Sequence, residues 1–124
     1  MDFFQLSAGA LAYLGDSVLE ALIREALILK GFEKSAHLNK EALKYVTAVN
    51  QCKAYGNIEA MLNEQESAIF KRGKNCSHLN IPKSASPLEY KIATGFEAVF
   101  GYLHLKRDNN RINELFYVAY PDLH

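Results

Sequence analysis

Ala10-Leu11-Ala12-Tyr13-Leu14-Gly15-Asp16-Ser17-Val18-Leu19 decides how this chain is to be read. Leu11, Leu14, Val18, Leu22 and Ala26 recur at three- and four-residue spacing, and Leu19, Ile23 and Leu27 widen that face, so a helix buried over much of its circumference is expected. Asp16 is the only charged side chain between Phe3 and Leu19. The same arrangement returns in Ala93-Thr94-Gly95-Phe96-Glu97-Ala98-Val99-Phe100-Gly101-Tyr102-Leu103, where Glu97 is the only acidic or basic chain charge between Ile92 and Leu105. A carboxylate in an apolar surround shifts its pKa, takes a cation or binds a metal. Two of them on core-like helices suggest that they meet, with a divalent ion as shared counter-charge. Gly15, Gly95 and Gly101 each cost a helix about 1 kcal/mol relative to alanine, which fits positions where another helix or a ligand must come close. Glu20 has Arg24 one turn beyond it, so an i,i+4 ion pair accounts for it.

Outward from these two stretches the pattern stays helical. Gly31 after Lys30 is a stop signal, and Ser35 opens a second helix carrying Leu38, Ala42, Tyr45, Val46 and Val49. Asn63 with Glu66 reads as a capping box, opening a helix through Phe70 that Gly73 ends. Ser86-Pro87-Leu88-Glu89 combines a serine cap, a proline at the first helical position and a glutamate three residues on. Asp108 caps a last helix with Ile112, Leu115, Phe116 and Ala119, stopped by Pro121. No segment alternates with strand period, and no repeat or linker divides the chain. At 124 residues, residues 1–124 form a single all-α domain with a self-sufficient core.

With 49% hydrophobic and 23% charged residues and zero formal net charge, no global field announces a nucleic-acid partner, so any such surface must be local. One local surplus exists. Between Glu66 and Glu89 there is no acid, while Lys71, Arg72, Lys74 and Lys83 stand among Asn75, Ser77, His78 and Asn80. Loop cations with amide donors suit phosphate contact. The apolar runs are too short to span a bilayer and the N-terminus lacks a secretory signature, so no membrane role and a cytoplasmic location are expected. Cys52 and Cys76 match no metal-ligand spacing and are expected as free thiols.

Tyr13-Leu14-Gly15-Asp16-Ser17-Val18-Leu19 resembles the signature helix of the ribonuclease III catalytic domain, and Phe96-Glu97-Ala98-Val99-Phe100-Gly101-Tyr102-Leu103 resembles its second acidic helix. The closer likeness is to the short Mini-ribonuclease III branch, which has this domain without a double-stranded-RNA-binding domain. Ala10 to Tyr13, the Lys71-Arg72-Gly73-Lys74-Asn75 and Pro82-Lys83 stretches, and Tyr90-Lys91 with Ala93-Thr94 also look like that branch. The resemblance implies a homodimeric helical bundle that cuts double-stranded RNA with Mg2+. Asp16 and Glu97 would be catalytic metal ligands, and Lys71, Arg72, Lys74, Asn75 and Lys83 would contact RNA. Products would carry 5′-phosphate and 3′-hydroxyl ends, and part of the first helix, including Leu11, Leu14 and Val18, would be dimer interface. The implied task is maturation of large-subunit (23S) ribosomal RNA precursor, and a ribosomal protein presenting the substrate stays open. The longer enzymes carry further acids where this chain has Gly9, Ala12 and Thr94, which leaves the metal count open. After Asn75 the chain continues Cys76-Ser77-His78-Leu79, where the branch has small and basic residues.

Two other classes compete. A non-catalytic RNA-binding or ribosome-associated scaffold of the same fold has no use for two acids. A helical nucleotide phosphohydrolase usually displays adjacent His-Asp pairs, and His37, His78 and His104 have no aspartate neighbour.

Overall fold

A computed structural model describes residues 1–76 and 85–124. The elements are α1 (Ala8–Leu29), α2 (Ser35–Val46), α3 (Ala48–Ile58), α4 (Glu64–Asn75), α5 (Pro87–Leu105) and α6 (Asn109–Ala119), with short 3-10 turns at Phe3–Gln5, Glu59–Met61 and Pro121–Leu123. No strand occurs among the described residues, so the all-α expectation holds.

The central element is α5. It packs against α1, α3, α4 and α6, and Ala93, Phe96, Ala98, Val99, Phe100, Tyr102 and Leu103 are all buried. Leu19, Ile23 and Leu27 of α1, Ala54 and Ile58 of α3, Ile69 and Phe70 of α4, and Ile112, Leu115 and Phe116 of α6 complete the core. Each large side chain removed from water here contributes roughly 1.5–3 kcal/mol.

The helix starts follow local chemistry. Ser86 and Glu89 form a reciprocal capping box ahead of Pro87, as do Asn63 and Glu66, and Asp108 accepts from the Arg111 N–H. Gly31 has φ +108° and stops α1 as expected, with the Phe32 N–H donating back to the Leu27 carbonyl at 3.2 Å.

Two boundaries differ from the sequence reading. The expected second helix breaks at Thr47, whose extended backbone and hydroxyl cap α3 through the Asn50 N–H, so Val49 belongs to a separate helix. α2 opens at Ser35 as expected, with Lys34 before it making no side-chain cap bond. Gly73 does not end α4, which continues to Asn75. A β-carbon there would sit 2.8 Å from the Gly95 Cα, so the glycine serves a helix crossing. Glycine's cost in propensity is offset by the close approach it permits.

Candidate active site

Among the described glycines, the tightest approach is between α1 and α5. A β-carbon on Gly15 would lie 1.7 Å from the Glu97 main-chain oxygen, and one on Gly101 would lie 1.9 Å from the Leu11 main-chain oxygen. Only hydrogen fits at these positions. Because the crossing point on α5 is Glu97 itself, the residue after Gly15 is delivered to it. Asp16 and Glu97 accordingly come within hydrogen-bonding reach of each other.

Their surroundings differ. Asp16 is exposed, whereas Glu97 is half-buried. Burial, then the Asp16 carboxyl beside it, and at longer range the Glu20 charge, push the Glu97 carboxyl up to about 9. The amide of Gln51 acts against this rise by hydrogen-bonding to Glu97. Among the described residues no ion pair reaches either acid. Glu20 makes the anticipated contact with Arg24, at 3.9 Å and largely in solvent. Near Glu97, Tyr120 is buried, its hydroxyl donates to the Tyr45 carbonyl, and burial and the Glu97 charge hold its phenol protonated.

Two facing carboxylates without a counter-cation can share a proton or hold a metal ion, and hard oxygen donors of this kind suit magnesium or manganese. The donor set therefore fits a divalent ion. No third His, Cys, Asp or Glu joins them in a metal-ligating group among the described residues.

The basic residues divide. Lys71 and Asn75 are exposed on the last turns of α4, and Lys74 is half-buried. That end of α4 is pinned beside Thr94, Gly95 and Ala98, on the stretch of α5 that carries Glu97. Arg72 has another task. Its guanidinium donates to the Phe4 and Leu6 carbonyls at 2.5 Å each and covers the Phe4 ring, so it fastens the N-terminal turn to α4. Lys83 and His78 lie outside the described residues. Leu11, expected at an interface, is buried in the monomer core because it packs at the Gly101 crossing, while Leu14 and Val18 stay partly exposed.

Sequence reasoning missed Gln51. It is 3% exposed and shares one helix face with Ala54 and Ile58, also buried. That i, i+3, i+7 spacing after Thr47 is the signal that could have found it.

The helical bundle and its pair of facing acids at a glycine-tight crossing define a ribonuclease III-type catalytic domain. Residues 9–108 match the family model described as Ribonuclease III domain. The chain is 41% identical to Mini-ribonuclease 3 of Symbiobacterium thermophilum, over 88% of this chain and 84% of that one. It is 43% identical to Mini-ribonuclease 3 of Streptococcus pneumoniae, over 86% and 84%. The crystal structure of a Fusobacterium nucleatum protein superposes with a TM-score of 0.86 at 33% identity, covering 95% of this chain and 96% of that one. The chain belongs to the Mini-ribonuclease III branch of the ribonuclease III family, and its activity is that of a double-strand-specific endoribonuclease.

Proposed function

We propose that this enzyme cleaves duplex regions of structured RNA as a homodimer, with Mg2+ held by Asp16 and Glu97, and that precursor 23S ribosomal RNA is its natural substrate. The observation that carries this reading is the pairing of Asp16 with the half-buried Glu97 at the glycine crossing, with no neutralising base among the described residues. Such a pair is a poor structural device and a good cation site.

When bound, the ion supplies Lewis-acid stabilisation of charge on the phosphate and eases ionisation of the attacking water. The chain's own contribution is to bind and orient. Asp16 offers a solvent-facing carboxylate, and Glu97 offers one fixed on the central helix. Hydrolysis forms a bond from the water oxygen to phosphorus and breaks the bond to the 3′ oxygen, which takes up a proton. Lys71, Lys74 and Asn75 would meet backbone phosphates next to the centre. Arg72, already bonded to Phe4 and Leu6, is assigned to holding that end of α4 in place.

Two centres related by symmetry would each cut one strand. The homodimer is supported by an apolar row on α1: Tyr13 is 85% exposed, Leu14, Val18 and Leu22 are half-buried, and the row runs into a groove against His104 and Ile112.

Incubation with duplex RNA, single-stranded RNA and nucleotides, each with magnesium or with chelator, tests the reading. Magnesium-dependent cuts in the duplex alone, leaving 5′-phosphate ends, are expected. Duplex RNA that stays intact under every condition would refute it. Sedimentation of the protein as a monomer at assay concentration would remove the dimer.

A further inference from the structure

Gln51 sits on a core face of α3, in line with Ala54 and Ile58, where packing alone would call for an apolar residue. Burying an amide is unfavourable unless it finds a partner. The partner recorded for its side chain among the described residues is the Glu97 carboxyl group. With a cation bound, the Glu97 carboxylate is ionised and only accepts, so in that state the Gln51 NH2 is the edge that faces it.

The placement is rigid. Thr47 fixes the start of α3 through the Asn50 N–H, and the Gln51 N–H donates to the Thr47 carbonyl at 2.9 Å. Tyr55 on the same helix stacks against Phe70 of α4, with ring centroids 3.9 Å apart and planes within 5°. A side chain held this firmly can restrict a neighbour's rotamer.

We propose that Gln51 is a positioning residue for the hydrolytic centre: its buried amide locks the Glu97 carboxylate in the orientation that faces Asp16 and a divalent ion. This rests on the assignment of Asp16 and Glu97 as metal ligands. Gln51 does not touch the reacting phosphate; it acts through Glu97, as partners of metal ligands commonly do. A neutral donor leaves the Glu97 charge available to an ion that displaces the proton, whereas a lysine or arginine in the same place would cancel it.

The test uses Mn2+ as probe on the whole protein, with binding measured by electron paramagnetic resonance and turnover measured on duplex RNA. Gln51→Leu should keep its helical circular dichroism and its Tm in chelator, since an apolar chain suits that core position. It should lose about tenfold in Mn2+ affinity and a comparable factor in kcat, with KM for RNA nearly unchanged. Gln51→Glu should bind Mn2+ more tightly than the parent and melt lower without metal, because it adds a third acid to the pair. If Gln51→Leu fails to fold, Gln51→Met, of similar length, is judged by the same criteria. Parent-like Mn2+ affinity and kcat in the folded apolar variant would overturn the proposal. The Asp16→Asn control separates the two readings: if it binds Mn2+ like the parent, the metal-ligand assignment fails, whereas loss of binding there with parent-like Gln51 variants sinks the Gln51 role alone.

Discussion

Glu66 is buried and Glu97 half-buried, and the two glutamates have opposite fates. Glu66, 1% exposed, accepts the Asn63 N–H at 2.9 Å and two bonds from the Arg111 guanidinium, at 2.9 and 2.8 Å. Burial would raise its pKa, but the Arg111 and Asn63 hydrogen bonds, with the Arg111 and Lys106 charges, more than offset this and hold it below the ordinary carboxylate value. Arg111 also donates to the Met61 carbonyl and to Glu114, so the cluster ties α6 to the start of α4. Glu97 meets another acid instead, and burial with that neighbour drives its pKa the other way. Burial of a carboxylate therefore does not mark a reaction centre. In the proposed reading, the missing counter-charge does.

The strongest way to break this contrast is to neutralise each acid system in turn. Glu97→Gln and Asp16→Asn should each lower cleavage of duplex RNA by at least about 10³-fold while leaving circular dichroism unchanged. An active Glu97→Gln variant would make Glu97 one more structural acid. Arg111→Met should do the reverse. Stranding Glu66 without its cation should cost about 3–5 kcal/mol in denaturant unfolding. Activity per folded molecule should stay at the parent level, and a folded but inactive Arg111→Met would mean that the α4–α6 tie belongs to catalysis.

The contrast also explains what could be read in advance. Caps such as Ser86 with Glu89, Asn63 with Glu66 and Asp108 were legible because they are local chemistry, three residues wide. The meeting of Asp16 and Glu97 was legible because each interrupts an apolar run and each stands near a glycine. The break at Thr47 was hidden because Tyr45, Val46 and Val49 continue the helical pattern straight through it. Gly73 looks like a stop when its only neighbours are those in the chain, and its role lies in Gly95 across the crossing. Gln51 and Arg72 were opaque for a related reason. Their partners are a carboxyl group 46 residues away and the main chain at Phe4 and Leu6, and a main-chain carbonyl carries no side-chain signature.

A pH series sharpens the comparison further, since the two glutamates should respond with opposite sign. Without divalent ions, folded Glu97 keeps its proton between about 4.5 and about 9, where the unfolded chain has released it. The native state binds more protons in that window, so stability falls as pH rises. Glu97→Gln removes this loss, and its Tm advantage over the parent in chelator should widen by roughly 5 °C or more from pH 5 to pH 9. Glu66 has a lowered pKa, so its contribution is complete above the unfolded value and disappears on acidification below about 4.5. A Tm gap for Glu97→Gln that does not vary with pH would show an ordinary carboxyl at the crossing. Added Mn2+ should compete with the proton, so its affinity should rise with pH over the same window.

The smallest effect concerns the basic end of α4, where the same logic of paired and unpaired charge applies to cations. Lys71 and Lys74 enter no ion pair among the described residues, whereas the Arg72 guanidinium is already bonded to the Phe4 and Leu6 carbonyls. A free cation that meets a phosphate releases a counterion on binding, so its loss should show in the salt dependence of affinity and not only in affinity at one salt. Lys71→Ala should therefore lower the slope of log K against log salt for duplex RNA by about 1, with Tm unchanged. Arg72→Ala should leave that slope near the parent value and lower Tm, because it frees the N-terminal turn and uncovers the Phe4 ring. If both variants shift the slope equally, the Arg72 bonds to Phe4 and Leu6 give way when RNA binds, and Arg72 joins Lys71 among the phosphate contacts.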